Sequence, residues 1–476
     1  MDAHYTLTLL TRLAQRQPEQ TVHLEEALGG RLWALAETAI EVAVETGDPI
    51  GQVLAELVHE HPVPDLIERL AARCKEPFLR HVVPLRELAA VVAKQRLNWR
   101  YGQLPASPDV GHLVGLAEAH HEVADRLLNL GDWQQAASHA EEAADYWRDL
   151  AKLKPEVDLA GRAHTLMRLG EIYGRQQRLQ DARRVLAEAL PVLRRAAAQN
   201  PDEHLEALGT ALGRYGNVLS DLEHYDQALE ANREAVEIFR PLADQKPSLF
   251  GPGLASSLVN LAGRLRQLGR TEEALRVMEE ALALRRVQSA EQPEIFLPVL
   301  ALSLHNLGAL YEDLERWGEA ISSTEEAVVL RRRLAAARTD AFRPELAGSL
   351  RNLSTELAQV GRLEEALAAN AEAIAGFRSV LSEAPERFAK QLAKLHVSRC
   401  DLLRDLDRFD ELFHAAEEGL REAQPQITSA WDENYNRLGT LYGFYGLASQ
   451  KTGRARDPDL TARVAARLEG SGPALR

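Results

Sequence analysis

Apolar residues in the middle of this chain fall at helical spacing, in pairs of stripes separated by short polar turns. Leu302, Leu304, Leu307, Leu310 and Tyr311 form one stripe. Steps of three and four place most of them on one side of a helix. The polar stretch from Glu315 to Gly318 turns the chain, and Ala320, Ile321, Ala327, Val328 and Leu330 form a second stripe. This pattern predicts two helices joined by a tight turn. The turn recurs: Gly131, Gln177, Glu223, Gly269, Glu315 and Gly361 each stand five residues before an alanine, namely Ala136, Ala182, Ala228, Ala274, Ala320 and Ala366. Every step is 46 residues, without insertion; a weaker seventh turn runs from Asp407 to Leu412, and one more step reaches Gly453. Self-similarity at a fixed period of roughly 20 to 50 residues marks a stacked-repeat architecture.

Prolines keep the same period. Pro155, Pro201, Pro247, Pro293 and Pro385 all stand 24 residues after a turn marker, and Pro252, Pro298 and Pro344 form a second series. Proline is tolerated in a helix's first turn but not in its interior, so both series are expected to mark where first helices begin. Small residues hold three phases. Ala124, Gly170, Gly216, Ala262, Gly308, Ser354 and Cys400 share one in the first helix. The six alanines after the turns share another, and Ala143, Ala189, Ala235, Ala281, Ala327 and Ala373 share a third, continued by Gly419. Helices about 8–10 Å apart need small side chains where their axes cross.

Leu169 and Gly170 followed by Tyr173, and Leu307 and Gly308 followed by Tyr311, with Ala182 and Ala320 downstream, resemble the tetratricopeptide repeat. That motif is a Leu-Gly pair, an aromatic three residues on, and an alanine in the second helix. The unit here is longer than the usual ~34 residues and is similar to the long repeats of kinesin light chains and bacterial multi-repeat proteins. The resemblance implies an all-α fold, a right-handed α-solenoid of stacked antiparallel helix hairpins. Seven repeats and a final helix are expected over residues 113–457, with a cap helix and tail over 458–476.

Residues 1–112 read as an irregular helical cap or junction. Leu24–Glu45 reads as one helix, Ile50–His59 as another and Pro64–Cys74 as a third. Leu85–Trp99 lies one period before the first repeat's second helix, with Ala90 on the alanine phase, as a degenerate repeat would. Gly102, Pro105, Pro108 and Gly111 mark a connector. Solenoids need atypical end units to cover their last apolar face. The segment is also similar to those following the nucleotide-binding domain in STAND-type bacterial signalling ATPases with repeat tails. Leu7–Leu13 packed inward would favour a cap, whereas an exposed apolar face on residues 1–60 would favour a missing neighbour.

A chain of 476 residues is too long for a single core, and its net charge of −15 argues against a nucleic-acid partner. Two cysteines, Cys74 and Cys400, cannot build a disulfide framework or a Cys-rich zinc site. The start shows no secretory leader, and no run approaches the roughly 18 apolar residues of a spanning helix. A cytoplasmic location and no membrane partner are expected. Phosphate-loop, zinc-protease, nucleophile-elbow and paired-cysteine motifs are absent from the sequence. His59 with His61, and His120 with His121, point to different helix faces. The sequence therefore predicts no enzyme, no metal and no cofactor, and it reads Cys400 as a packing residue.

Two charge ladders run through the repeats. Glu142, Glu188, Glu234, Glu280, Glu326, Glu372 and Glu418 share one phase, and Arg148, Arg194, Arg240, Arg286, Arg332 and Arg378 another. Within a helix the two are six residues apart and do not face each other, so each arginine is expected to reach an acidic group on a neighbouring repeat. The resemblance implies a concave groove lined by the first helices, holding a protein or peptide. It places His121, Asp125, Met167, Glu171, Asn217, Val259, Gly263, His305, Glu312, Arg351, Thr355 and Asp401 there. Asn260, Asn306 and Asn352 share a phase on the same helices. Carboxamides donate and accept, so this ladder suits either a bound peptide backbone or the bracing of neighbouring helices. The expected function is a protein-binding scaffold. The alternative is the sensor arm of a STAND-type signalling ATPase in bacterial stress or phage defence, with an upstream nucleotide-binding domain or ATPase as partner.

Overall fold

The computed structural model describes residues 3–74, 82–154, 159–337, 339–381, 385–423 and 433–470. Among these residues there are twenty-two α-helices and no strand. The seven first helices are Val110–Leu130, Leu159–Arg175, Pro201–Asp221, Pro247–Gln267, Pro293–Asp313, Thr339–Gln359 and Pro385–Asp405. Their second helices are Trp133–Leu153, Leu179–Gln199, Tyr225–Gln245, Thr271–Glu291, Trp317–Ala337, Leu363–Ser379 and Phe409–Ala423. We number these hairpins repeats 1 to 7. The all-α architecture of stacked helix hairpins is the one expected.

Each hairpin turns on one residue in left-handed backbone. Gly131, Gln177, Glu223, Gly269, Glu315, Gly361 and Asp407 all have φ between 55° and 82°, and Gly453 continues the series at 72°. In every repeat the next N–H donates to the carbonyl five residues back, at 2.8–3.1 Å. This closes the helix end and satisfies carbonyls that would otherwise be orphaned. Glycine adopts this backbone freely; other L-residues do so at a cost of roughly 1–2 kcal/mol.

The small-residue phases sit where the two helices of a hairpin cross. Ala124, Ala262, Ser354 and Cys400 are buried, as are all the alanines of the other two phases. A methyl group added at Gly170 would lie 2.6 Å from Leu186 Cγ, and one at Gly216 would lie 2.5 Å from Asn232 Nδ2. Burial pushes the Cys400 thiol up to about 12, as expected of a packing residue.

The chain divides into two compact units, Met1–Phe239 and Arg240–Arg476. Among the described residues, the first holds two large cores and a small one around Ala117, Trp147 and Leu150. Of the large pair, one gathers Leu7, Leu28, Ile40, Leu54, Leu70 and Leu88 from the irregular N-terminal helices. The other runs from Ala93 to Ala235 through repeats 1 to 3. Pro64–Cys74 and Arg86–Gly102 stand one period before the helices of repeat 1, and Ala90 is buried. The second unit holds repeats 4 to 7 and a last hairpin, Glu433–Thr452 with Pro458–Gly470. Its last core joins Cys400, Leu412, Leu441, Tyr445 and Leu460.

Two expectations need correction. Leu24–Glu45 is two helices, Thr21–Gly29 and Leu32–Thr46. The pair Gly29 and Gly30 removes the side chains and the propensity that would carry the helix through. The second proline series does not mark helix starts. Pro252, Pro298 and Pro344 lie inside first helices. They stand early enough that the bond each removes is among the first of its helix. The first series does stand at starts: Pro201, Pro247 and Pro293 open their helices. Pro155 lies outside the described residues, as does the tail from 471 on. Pro293–Asp313 has the length and hydropathy of a spanning helix, although no uninterrupted apolar run was expected. It is the first helix of repeat 5, with Leu300, Leu304, Leu307 and Leu310 buried.

The arginine ladder reaches its neighbours. Arg194 meets Glu234 at 2.7 Å, Arg240 meets Glu280 at 2.6 Å and Arg286 meets Glu326 at 2.8 Å. Arg332 meets Glu372 at 2.5 Å, and Arg378 meets Glu418 at 2.8 Å. The two ladders are one ladder, each arginine bound to the glutamate of the next repeat. Arg148 departs from it, pairing with Asp145 on its own helix. These pairs are partly exposed, so each contributes about 0–1 kcal/mol and mainly fixes register.

Gln177→Gly, Glu223→Gly and Glu315→Gly are each expected to raise stability by about 1 kcal/mol in urea unfolding, whereas Gly269→Ala and Gly361→Ala should lower it. A loss from the first three would refute the left-handed assignment. Neutralising Glu326 and Glu372 together, as Gln, should lower the thermal midpoint at low salt by an amount that shrinks in 1 M NaCl (Debye length about 3 Å). An equal loss at both salt concentrations would contradict the surface reading of the ladder.

Candidate functional site

The first helices place the expected residues on their less buried side. Asn217, Val259, Gly263, Glu312, Arg351 and Asp401 are half-buried and Thr355 is exposed. Met167 is 8% exposed and belongs to the core of repeats 1–3.

In the first unit this face is an ionic network. Arg168 meets Asp125 at 2.5 Å and Glu171 at 2.7 Å. Glu171 also receives Arg214, from the next repeat, at 2.5 Å and Arg175 at 3.3 Å. Burial alone would raise the Glu171 carboxyl; Arg214 and Arg168 outweigh it and hold it below the usual range. His121 lies within 3.3 Å of Thr165 Oγ1, and burial lowers its ring below the ordinary histidine value. A cleft of about 640 Å³ opens beside it, lined by Arg96, Arg100, Arg126, His121 and Asp125. Arg96 is tied to Glu122 at 2.7 Å and Glu68 at 2.9 Å.

In the second unit the face carries amides. The Asn260 and Asn306 side chains are half-buried and, among the described residues, make no hydrogen bond within the chain. Asn352 differs: its Oδ1 accepts from Arg351 Nη2 at 3.0 Å, while Arg351 Nη1 donates to Gln391 Oε1 on repeat 7 at 2.5 Å. Arg266 meets Asp313 at 2.5 Å, linking repeats 4 and 5. Asp401 pairs with Arg404 at 2.9 Å. Bracing thus describes Asn352 but not Asn260 or Asn306.

Behind that face lies a buried polar network that sequence reasoning missed. Arg331 occupies the phase held by Trp147, Leu193, Phe239 and Phe377 in other repeats. It donates to the Glu345 carbonyl at 2.6 Å and to Ser349 Oγ at 2.5 Å. Ser349 Oγ also lies 3.2 Å from His305 Nδ1. Burial pushes Arg331 down to about 10; burial, with Arg331, Arg351 and Arg266, pushes His305 down to about 4, so its ring is neutral. Glu356 is fully buried. Its Oε1 accepts from Thr324 Oγ1 at 2.9 Å, and its Oε2 has no partner. Burial pushes this carboxyl up to about 7; the Thr324 bond opposes the rise, and Glu312 and Glu325 add to it. The only sequence signal was a charged residue standing on a phase that is apolar in four other repeats and shared by Arg285 of repeat 4, which is also buried. Among the described residues, no group of three or more His, Cys, Asp or Glu is placed to hold a metal ion.

Three stretches, residues 162–204, 254–287 and 300–336, match the family model described as Tetratricopeptide repeat. No curated protein matches the chain. Among solved structures, the chain is similar to a Signal Transduction ATPase with Numerous Domains protein with a tetratricopeptide repeat sensor from Pyrococcus horikoshii. That likeness has a TM-score of 0.51 at 13% identity, covering 99% of this chain and 72% of the other. BtubC (BKLC) from P. vanneervenii aligns with a TM-score of 0.42 at 22% identity, over 52% of this chain and 92% of its own.

Glu356 generates a pH prediction. Its folded value of about 7 lies above the ordinary 4.5, so the fold holds the neutral acid. That contribution is complete below about pH 4.5 and falls away as the pH rises to about 7, by roughly 3 kcal/mol. His305, held near 4, adds stability over part of the same range, so the check is a difference: in urea titrations between about pH 5 and pH 8 the stability of the wild type relative to Glu356→Gln should decline. A difference that stays constant with pH would contradict the assignment to Glu356.

Proposed function

The chain is a tetratricopeptide-repeat protein, and from that premise we propose that it is a protein-binding scaffold whose first-helix face holds a peptide or protein segment. The observation that carries this reading is the pair Asn260 and Asn306. Their carboxamides stand on consecutive repeats, 46 residues apart, half-buried and without a hydrogen bond to the chain among the described residues. A carboxamide offers one acceptor and two donors. Two or three in register pair with the backbone of a bound segment and leave its side chains to neighbouring groups such as Arg351, Glu312 and Asp401. In the first unit, Asp125 and Glu171 are already neutralised by Arg168, Arg175 and Arg214. That part of the face discriminates by shape and by local charge rather than by bulk attraction.

A second reading is favoured by the N-terminal helix Ala3–Arg16. Leu7 is 2% exposed, packed inward as a cap residue would be, yet Tyr5, Leu9 and Leu13 are 58%, 47% and 38% exposed. These three stand four residues apart and form an apolar stripe facing solvent. Such a stripe suits a chain that rests against a larger neighbour, as the sensor arm of a signalling ATPase would. In that role a ligand on the first-helix face would shift the arm between two arrangements by its differential affinity for them.

Capture from native lysate tests both readings at once. The wild-type chain should retain a partner that Asn260→Ala/Asn306→Ala/Asn352→Ala loses by tenfold or more, with an unchanged thermal midpoint. Equal capture by that variant would remove the amide reading. A partner lost instead on Leu9→Glu/Leu13→Glu, and carrying nucleotide-hydrolysing activity, would favour the sensor arm.

A further inference from the structure

We infer that the second helices carry a separate binding surface, a set of acid-rimmed clefts with apolar floors that takes the apolar side chains of a basic protein segment. This goes beyond the first-helix reading and uses none of its residues.

A cleft of about 820 Å³ lies along the second helices of repeats 2 and 3, in the first unit. Its floor is Leu190, Leu212, Tyr215 and Ala231. A cleft of about 390 Å³ lies along the second helices of repeats 4 and 5, in the second unit, floored by Leu282, Leu304 and Leu307. The two are the same place in the repeat. A shift of two periods carries Leu190, Arg194, Leu212 and Glu234 onto Leu282, Arg286, Leu304 and Glu326. A lining that recurs at one phase in both units is a property of the repeat rather than a local packing fault.

The ionic ladder spans both clefts. Arg194 to Glu234 crosses the first and Arg286 to Glu326 the second. Each rung consumes one carboxylate and one guanidinium. What remains on the rims is acidic. The first keeps Asp226, Glu230 and Glu237 against Arg233, which pairs with Glu230 at 3.0 Å. The second keeps Glu279 and Glu319. Glu279 accepts from Tyr311 Oη at 3.3 Å, and Glu319 is paired with Arg316 at 2.7 Å. Each cleft therefore has two more carboxylates than guanidinium groups in its lining, in a chain of net charge −15. Asp226, Glu230 and Glu237 are exposed.

This geometry selects the occupant. An acidic segment or a nucleic acid meets like charge at the rim. The leucines themselves are buried, so a basic segment attracted to the rim places its apolar side chains against the open apolar lining above them, Ala187, Pro191 and Tyr215 in the first cleft and Ala283 in the second. The partner is thus a protein segment in which lysine or arginine alternates with large apolar residues.

The test uses the full chain and labelled synthetic peptides in fluorescence anisotropy. One peptide alternates lysine with leucine, one alternates lysine with glycine at equal charge, and one alternates glutamate with leucine. The lysine–leucine peptide is expected to bind at least about tenfold more tightly than either of the others, and less tightly as salt rises. Asp226→Lys/Glu230→Lys/Glu237→Lys is expected to weaken it markedly while circular dichroism and the thermal midpoint stay unchanged. Adding Glu279→Lys should weaken it further, and Asn260→Ala/Asn306→Ala/Asn352→Ala should leave it unaltered. No binding, or equal binding of the lysine–glycine peptide, would overturn the proposal. So would undiminished binding by the charge-reversed variant, or loss in the asparagine variant. Loss in the asparagine variant would move the peptide to the first-helix face; the other outcomes leave the first-helix reading untouched, because that reading rests on the asparagine variant and its own partner.

Discussion

Everything in this chain depends on how closely two helices can approach where they cross. An alanine or glycine at the crossing lets the backbones come near enough for the flanking leucines to interdigitate. At Gly170 and Gly216 the opposing side chain, Leu186 or Asn232, already fills the space that a Cβ would need. The constraint is local to each hairpin, yet it repeats every 46 residues, so one solution propagates along the array. The left-handed turn residue completes it, because it fixes where the second helix starts relative to the crossing.

Polar groups divide into two kinds with different consequences. The Arg–Glu ladder lies at the surface, where water and salt screen each pair, and its value lies in register rather than depth of stabilisation. The groups behind repeats 5 and 6 lie in the core, where every unmet hydrogen bond is costly. Arg331 meets its needs through Ser349 and a backbone carbonyl. Glu356 meets only half of its own, and it does so by holding its proton to unusually high pH. The hairpin is the same in both settings, but one is tolerant of substitution and the other is not.

The repeated features were legible in the sequence because they are repeated. Period, hairpins, turns, small-residue phases and the reach of Arg194 to a neighbouring repeat each recur several times, and chance does not imitate that. What rests on exact helix bounds or on neighbouring repeats was hidden. The break at Gly29 and Gly30 lies outside the repeat pattern, and the interior position of Pro252, Pro298 and Pro344 depends on where each helix starts. The left-handed backbone at Gln177 and Glu223 is masked because no glycine announces it. Burial of Arg331 and Glu356 follows from neighbours contributed by another repeat. On the first-helix face, positions could be assigned from phase, but bonding could not. Asn352 is held by Arg351 while Asn260 and Asn306 are unbonded among the described residues, and this difference lies in side-chain geometry that one residue type cannot encode. Met167 shares the phase of half-buried residues and is nevertheless in the core.

The most direct test of this account is to remove one period. Deleting residues 270–315, 46 residues from the start of one second helix to the end of the next turn, joins equivalent positions and leaves every crossing intact. The shortened chain should keep its helicity per residue by circular dichroism and still unfold cooperatively, because each hairpin packs only on its neighbours. Loss of helicity or aggregation of that variant would mean that the hairpins are not interchangeable units, and the central claim would fail.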